Sequence, residues 1–250
     1  LPGIAVAQPE QWVCDHGAER EPHPRRHSGR RLSAARGALR ERGAAPRETL
    51  YAENAPVGRL YFPTSGIVAL QSASAAGDTA EIGLVGSDGM VGVGALLGDN
   101  RAIAQSVVQS AGKSRRVGAA ALVELFERSP GVRKVILRYL RSVLVQAGRS
   151  AFCHRHHSLE HRLCRWLLQS VDRLPSHELY ITQELMGVML GVRREAVTLA
   201  ASRLQAGGGL RYSRGHLTVL NRDVLEKCAC ECYAALKAES EALSRFLSGL

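Results

Sequence analysis

The run Ile181-Thr182-Gln183-Glu184-Leu185-Met186-Gly187-Val188-Met189-Leu190-Gly191-Val192-Arg193-Arg194-Glu195-Ala196-Val197-Thr198-Leu199-Ala200-Ala201-Ser202-Arg203-Leu204 decides the architecture of this chain. The Thr182 hydroxyl can cap a helix, and the apolar spacing predicts a first helix from there to about Leu190. Gly191 can enter the left-handed region without a Cβ penalty and so turns the chain. Val192 is an apolar plug behind the turn. A second helix is expected from about Arg193, with Val197, Ala200, Ala201 and Leu204 facing inward and Ala206-Gly207-Gly208-Gly209 stopping it. Two helices joined by a short glycine-containing turn make a helix-turn-helix.

Such a motif seats its second helix in the DNA major groove, with the first residues of that helix on base edges. Here those residues are Arg193, Arg194 and Glu195. Arginine can pair with guanine through two hydrogen bonds, and glutamate can accept from the cytosine amino group. Thr198 and Ser202 follow on the same face, while Arg203 lies late enough to meet phosphate. Downstream, Leu210-Arg211-Tyr212-Ser213 and His216-Leu217-Thr218-Val219-Leu220 flank Arg214-Gly215, which predicts a hairpin. A hairpin behind a helix-turn-helix is a wing, and Arg211, Arg214 and His216 would meet the DNA backbone. The candidate DNA-binding residues are therefore Thr182, Arg193, Arg194, Glu195, Thr198, Ser202, Arg203, Arg211 and Arg214. A helix pair and hairpin that only pack together is the alternative, because exposed helix faces are commonly charged.

Upstream, Leu159, Leu163, Trp166, Leu167 and Val171 predict a helix capped by Ser158 and closed by Leu174-Pro175-Ser176. Before it, Val132, Val135, Ile136, Tyr139, Leu140, Val143, Leu144 and Ala147 recur at three- and four-residue steps. That stripe is wide enough to pair with a second copy of itself, and a plain core helix has the same spacing. A short helix over Ala119 to Arg128 ends at Ser129-Pro130-Gly131. Further upstream the texture changes to short apolar runs cut by glycine, with candidate strands at residues 59–62, 66–70, 81–85, 106–109 and 114–117. Turn residues separate them, which indicates a β-sandwich or barrel. Residues 1–46 carry Arg20, Arg25, Arg26, Arg30, Arg31, Arg36, Arg40 and Arg42 among Gly, Pro and Ala, with almost no apolar periodicity. They read as a disordered basic arm.

At 250 residues the chain suits two modest domains of roughly 100–200 residues each. Apolar residues make up 45%, enough for a packed core. The net charge of +10 attracts polyanions, whether nucleic acid or an acidic membrane. No apolar run approaches the roughly 18 residues of a membrane-spanning helix, so no membrane partner is expected. Leu1-Pro2-Gly3-Ile4-Ala5-Val6-Ala7 lacks the basic flank of a signal peptide, and Leu1 in place of Met points to a fragment or a displaced start. The six cysteines, Cys14, Cys153, Cys164, Cys228, Cys230 and Cys232, are too sparse for a secreted disulfide framework. The expected compartment is the reducing cytoplasm. No hydrolase elbow, Walker A loop or dinucleotide fingerprint occurs, so neither an enzyme nor a cofactor is expected.

Over about residues 48–220 the chain resembles the Crp/Fnr family of transcription regulators. The likeness rests on Ile181-Thr182, Gly187, Gly191, Arg194-Glu195, Val197 and Leu204. Tyr61-Phe62-Pro63 and Val85-Gly86-Ser87-Asp88-Gly89-Met90-Val91-Gly92 extend it into the N-terminal half. The resemblance implies an α+β protein with an N-terminal β jelly-roll of the cyclic-nucleotide-binding type, a long dimerisation helix and a C-terminal winged helix-turn-helix. The expected bounds are 47–129 for the jelly-roll, 130–157 for the helix, 158–222 for the winged domain and 223–250 for a helical tail. The implied partners are a second copy of the chain and double-stranded DNA with a palindromic operator, with RNA polymerase a further candidate.

Three departures from the family matter. Members that bind cyclic AMP carry a Gly-Glu-Leu signature and a later Arg-Ser. Here Met90 stands at the Glu, and Ala104-Gln105 falls near the Arg-Ser. The nucleotide's charge and hydroxyl would go unpaired, so no cyclic-nucleotide binding is expected. Oxygen-sensing members hold an iron–sulfur cluster on an N-terminal cysteine set, whereas Cys14 stands alone. The third base-reading Arg is replaced by Leu199, which could instead touch a thymine methyl.

Two weaker patterns remain. His157, His161 and Cys164 recur at zinc-compatible spacing, with His154 and His156 nearby. Cys228-Ala229-Cys230-Glu231-Cys232 could serve redox or metal chemistry. A capped helix start and small buried thiols are the bland readings of the two, and no metal site is assigned. A protein-interaction winged helix and a metal- or redox-dependent sensor are the alternative functions.

Overall fold

The computed structural model describes residues 40–249. Its N-terminal half is two antiparallel sheets. Strands β1 (Arg40–Ala44), β7 (Gly112–Gly118) and β3 (Arg59–Pro63) form one, in the order β1-β7-β3. Strands β2 (Thr49–Tyr51), β6 (Gln105–Ser110), β4 (Ile67–Ala73) and β5 (Thr79–Val85) form the other, in the order β2-β6-β4-β5. The basic arm expected over residues 1–46 is corrected in part. Residues 40–44 are strand β1, paired with β7 from Arg40↔Arg116 to Ala44↔Gly112. Residues 1–39 lie outside the described residues.

Strand residues point alternately to opposite faces, and the helices give both faces of these sheets a core to enter. Tyr61, Val68, Val85 and Val108 point between the sheets and fill the barrel. Leu60 and Phe62, on the other face of β3, pack with Leu122, Val135 and Ile136. Those side chains belong to α1 (Ala119–Arg128) and α2 (Pro130–His156). Ser129 caps α2 through the Val132 amide, and Pro130 occupies the first turn, where its missing N–H costs nothing. The outer face of β4 and β5 contributes Ile67, Ala69 and Leu84 to a third core, shared with Leu163, Trp166, Leu167 and Met189 of the C-terminal domain. The barrel is thus clasped between α2 on one side and the C-terminal domain on the other.

That domain begins with α3 (Leu159–Val171), capped by Ser158. Strand β8 (Glu178–Tyr180), helices α4 (Gln183–Leu190) and α5 (Arg194–Ala206), and strands β9 (Leu210–Ser213) and β10 (His216–Val219) follow. The tail is α6 (Arg222–Cys228) and α7 (Glu231–Ser248). Helix α7 runs antiparallel along α2. Cys230 lies against Cys153, Glu239 meets Arg138 at 2.6 Å and Ser142 at 2.7 Å, and Leu243 and Leu247 join Val132 and Val135. Burial disfavours the Glu239 charge, but hydrogen bonds from Ser142, Arg141 and Arg138 outweigh it and hold this carboxyl below its usual range.

Helix α7 covers one stripe of α2 and leaves another open. Leu137 and Leu144 are 52% and 73% exposed. With half-buried Leu140 and Ala147 and exposed Ala151, they repeat at alternating three- and four-residue steps. That is the heptad spacing of a two-helix seam.

Candidate nucleic-acid interface

Helices α4 and α5 form the expected pair. The Thr182 hydroxyl accepts from the Leu185 amide at 3.2 Å and caps α4. Gly191 ends α4 at φ 62°, ψ 42°, in the left-handed region. Gly187 is needed for a different reason, since a Cβ there would stand 2.8 Å from the Val192 carbonyl oxygen, where the two helices cross. Arg162 of α3 donates to the Leu190 carbonyl and ties down the end of α4. Val192 packs on the core, and Val197, Ala200, Ala201 and Leu204 are buried. Helix α5 begins at Arg194, with Arg193 as its N-cap residue, one position later than the spacing suggested.

Burying that stripe turns the opposite face outward. Arg193, Arg194, Glu195, Thr198, Ser202 and Arg203 are all exposed. Leu199, at 55% exposure, stands among them as an apolar point on a polar face. The side chains are engaged to different degrees. Thr198 Oγ1 lies 2.7 Å from Gln183 Oε1 and 3.1 Å from the Arg194 carbonyl, so its proton is already used within the protein. Arg203 pairs with Glu160 at 2.5 Å, which neutralises part of the charge expected to meet phosphate.

The wing is pinned to this reading head. Its turn places Arg214 at φ 49° and Gly215 at φ 81°, the pair of left-handed residues that a two-residue hairpin turn requires. The Gly215 carbonyl accepts from the Ile181 amide at 2.8 Å, and Tyr212 reaches Ile181 and Gln205. Arg211 and Arg214 are exposed. His216 instead turns along the sheet, stacked on Tyr180 with ring centroids 4.7 Å apart and facing Glu178 at 3.4 Å. Strand β8 makes the wing three-stranded, in the order β8-β10-β9, and three residues are too few for alternation to announce it.

Two further participants lie outside the motif. Arg47, at the turn between β1 and β2, reaches Thr182 Oγ1 at 3.4 Å and brings a barrel cation beside the reading head. Glu81 of β5 is 3% exposed and accepts from Trp166 Nε1 of α3 at 2.6 Å, a buried polar link between barrel and winged domain. Burial pushes this carboxyl up to about 7, against the pull of Arg165, the Trp166 hydrogen bond and Arg173.

At the cyclic-nucleotide signature positions Met90 and Ala104 are apolar and buried, and Gln105 beside them is uncharged. Met90 and Ala104 are each 1% exposed. The small cavity beside them is lined by Leu70, Val91, Gly92 and Val143, and the Tyr139 hydroxyl donates to the Met90 carbonyl at 2.8 Å.

Comparisons with known proteins agree with this geometry. A family model described as a cyclic nucleotide-binding domain matches residues 41–129, and one described as a Crp-like helix-turn-helix domain matches residues 161–228. Together they span more than half of the chain. A search of curated proteins finds no match. Among solved structures, a putative transcriptional regulator of the Crp/Fnr family from Eubacterium rectale is similar at 17% identity and a TM-score of 0.65, over 80% of this chain and 93% of that one. FixK2 from Bradyrhizobium japonicum is similar at 18% identity and a TM-score of 0.65, over 77% and 98%. CLP from Xanthomonas campestris, described as a c-di-GMP responsive global regulator, is similar at 20% identity and a TM-score of 0.61, over 76% and 98%. These likenesses concern the fold. With a cyclic nucleotide-binding-type barrel followed by a Crp-like helix-turn-helix, the protein belongs to the Crp/Fnr family of DNA-binding transcription regulators, which are not enzymes.

Proposed function

We propose that the protein acts as a homodimer on a palindromic operator, with the first turn of α5 in the major groove. The observation that carries this reading is the exposed Arg193-Arg194-Glu195 at the head of a helix whose opposite stripe is buried. Arg194 and Glu195 read bases. Arg193, Arg211 and Arg214 contact phosphates, and Ser202 stands further along the same face within reach of either. Thr182 and Thr198 orient the reading head, since their hydroxyls are bonded within it. The work is cytoplasmic, where duplex DNA is found, and no described helix is long and apolar enough to cross a membrane.

Arg194→Gln is expected to cost about 1–3 kcal/mol at one base-pair position and relax specificity there. Competition binding against a panel of single-base operator variants measures this. An equal loss on every sequence would make Arg194 a phosphate contact instead. Arg211→Gln is expected to weaken all duplexes alike and to reduce the salt dependence of binding by about one unit of slope.

The effector is not cyclic AMP. Buried Met90 and Ala104 offer neither a carboxylate for the ribose nor a cation for the phosphate. Titration calorimetry with cyclic AMP is expected to show no saturable heat at micromolar concentrations. A saturable isotherm would overturn this assignment.

A further inference from the structure

His157 of the first unused sequence pattern and Cys230 and Cys232 of the second meet Cys153 at one point of the fold. Cys153 lies in the last turn of α2 and His157 is the C-cap residue of that helix. Cys230 is the N-cap residue of α7 and Cys232 lies in its first turn. One ligand atom from each of the four residues falls within 4.8 Å of the other three. Cys153 Sγ and Cys230 Sγ are 3.4 Å apart, and Cys232 Sγ is 3.8 Å from His157 Nδ1. The three cysteines are buried, and His157 is partly covered. The trio suggested by spacing is not assembled. His161 stays 6.5 Å from His157, ring to ring, and Cys164 sits beside Cys228.

These separations have a chemical meaning. Zinc holds thiolate sulfur at about 2.3 Å and imidazole nitrogen at about 2.0–2.1 Å in a tetrahedron, so neighbouring ligand atoms lie about 3.5–3.8 Å apart. A disulfide needs about 2.05 Å, far below the observed sulfur separation. An iron–sulfur cluster spreads its thiolates over several irons and needs a wider cage. The other ring nitrogen of His157 lies 3.2 Å from Glu231 Oε1. A carboxylate on the far nitrogen of a metal-bound histidine fixes the tautomer and aims the free lone pair at the metal.

We propose that Cys153, His157, Cys230 and Cys232 bind one zinc-class divalent ion, with Glu231 orienting His157. All four positions are filled by protein, so the ion is structural, and its binding releases the thiol protons. The site pins the start of α7 to the end of α2. It does so at the joint where His157-Ser158 passes the chain from the helix carrying the exposed leucine seam to the winged domain. Metal occupancy would therefore set how rigidly the reading head is held.

The test is the metal content of the full chain, purified without chelator or metal-affinity resin, together with cobalt titration of the metal-free protein. The expected result is stoichiometric zinc and a cobalt spectrum with thiolate charge-transfer and tetrahedral bands. Cys153→Ser and Cys232→Ser are expected to abolish stoichiometric binding, and Cys228→Ser to preserve it. The wild-type cobalt spectrum decides the question even where a cysteine variant fails to fold. Four results would overturn the proposal: reduced, folded wild-type protein with no stoichiometric metal, an octahedral cobalt spectrum, iron–sulfur absorbance, or a Cys153–Cys230 disulfide found by mass spectrometry in freshly purified chain.

Discussion

Leu144→Glu is expected to leave the protein monomeric, if the proposed dimer forms through this seam, and to weaken its binding to an inverted repeat by on the order of 100-fold or more. The size follows from linkage. When two reading heads share one scaffold, the second half-site is bound intramolecularly, which adds about 10²–10⁴ in avidity over a single head. Leu144 is 73% exposed within one chain, so the change leaves no cavity and the fold of the single chain is expected to keep its stability within about 0.5 kcal/mol. Across the seam, two facing glutamates would lose apolar contact and repel each other. Light scattering gives the mass, and binding to one-half-site and two-half-site duplexes gives the avidity. A variant that stays dimeric and keeps its preference for the repeat would show that the Leu137, Leu140 and Leu144 stripe is not the interface.

Glu81→Gln is expected to stabilise the protein by up to about 3 kcal/mol at pH 8 and to change little below about pH 4.5. The buried Glu81 carboxyl has its value raised from 4.5 to about 7 in the folded chain. The folded state therefore holds this proton more tightly than the unfolded state. The stabilising contribution is complete below the unfolded value and is lost as pH rises through about 7. Each unit of raised pKa corresponds to about 1.4 kcal/mol, which sets the size of the effect. Glutamine keeps an acceptor for Trp166 Nε1 and removes the ionisation, so the link between barrel and α3 survives. Denaturant midpoints of both proteins between pH 4 and 9 test this. Parallel curves would mean that Arg165 and Arg173 keep Glu81 charged at no cost.

Much of the reading head was legible in the sequence because it is specified locally. Thr182, Gly191, the Val197-to-Leu204 stripe and Arg214-Gly215 each act on residues a few positions away, through a cap, a turn or a helical period. The five anticipated strands were legible for the same reason, as short segments set between turn residues. Strand β1 was not, because its residues, Arg-Glu-Arg-Gly-Ala, form a mostly exposed edge with no apolar face, and such a strand resembles disorder in composition.

What remained illegible is long-range. Arg203 meets Glu160 and Glu81 meets Trp166 only because folding brings α3 to α5 and to β5. The sequence marks α7 only as part of a helical tail, and nothing in its own period names α2 as its partner. The Cys and His cluster joins residues 77 positions apart, so spacing grouped His157 with His161 and Cys164 when its neighbours in space are Cys153, Cys230 and Cys232.

In the proposed complex two copies of α5 read a symmetric duplex through Arg194 and Glu195. Selection from random duplex DNA by the purified protein, followed by sequencing, tests this reading. An enriched inverted repeat whose half-sites lie about one helical turn apart is expected, and Arg194→Gln is expected to relax one position in each half. Enrichment of a single unrepeated site, or recovery of DNA with no sequence preference, would contradict it.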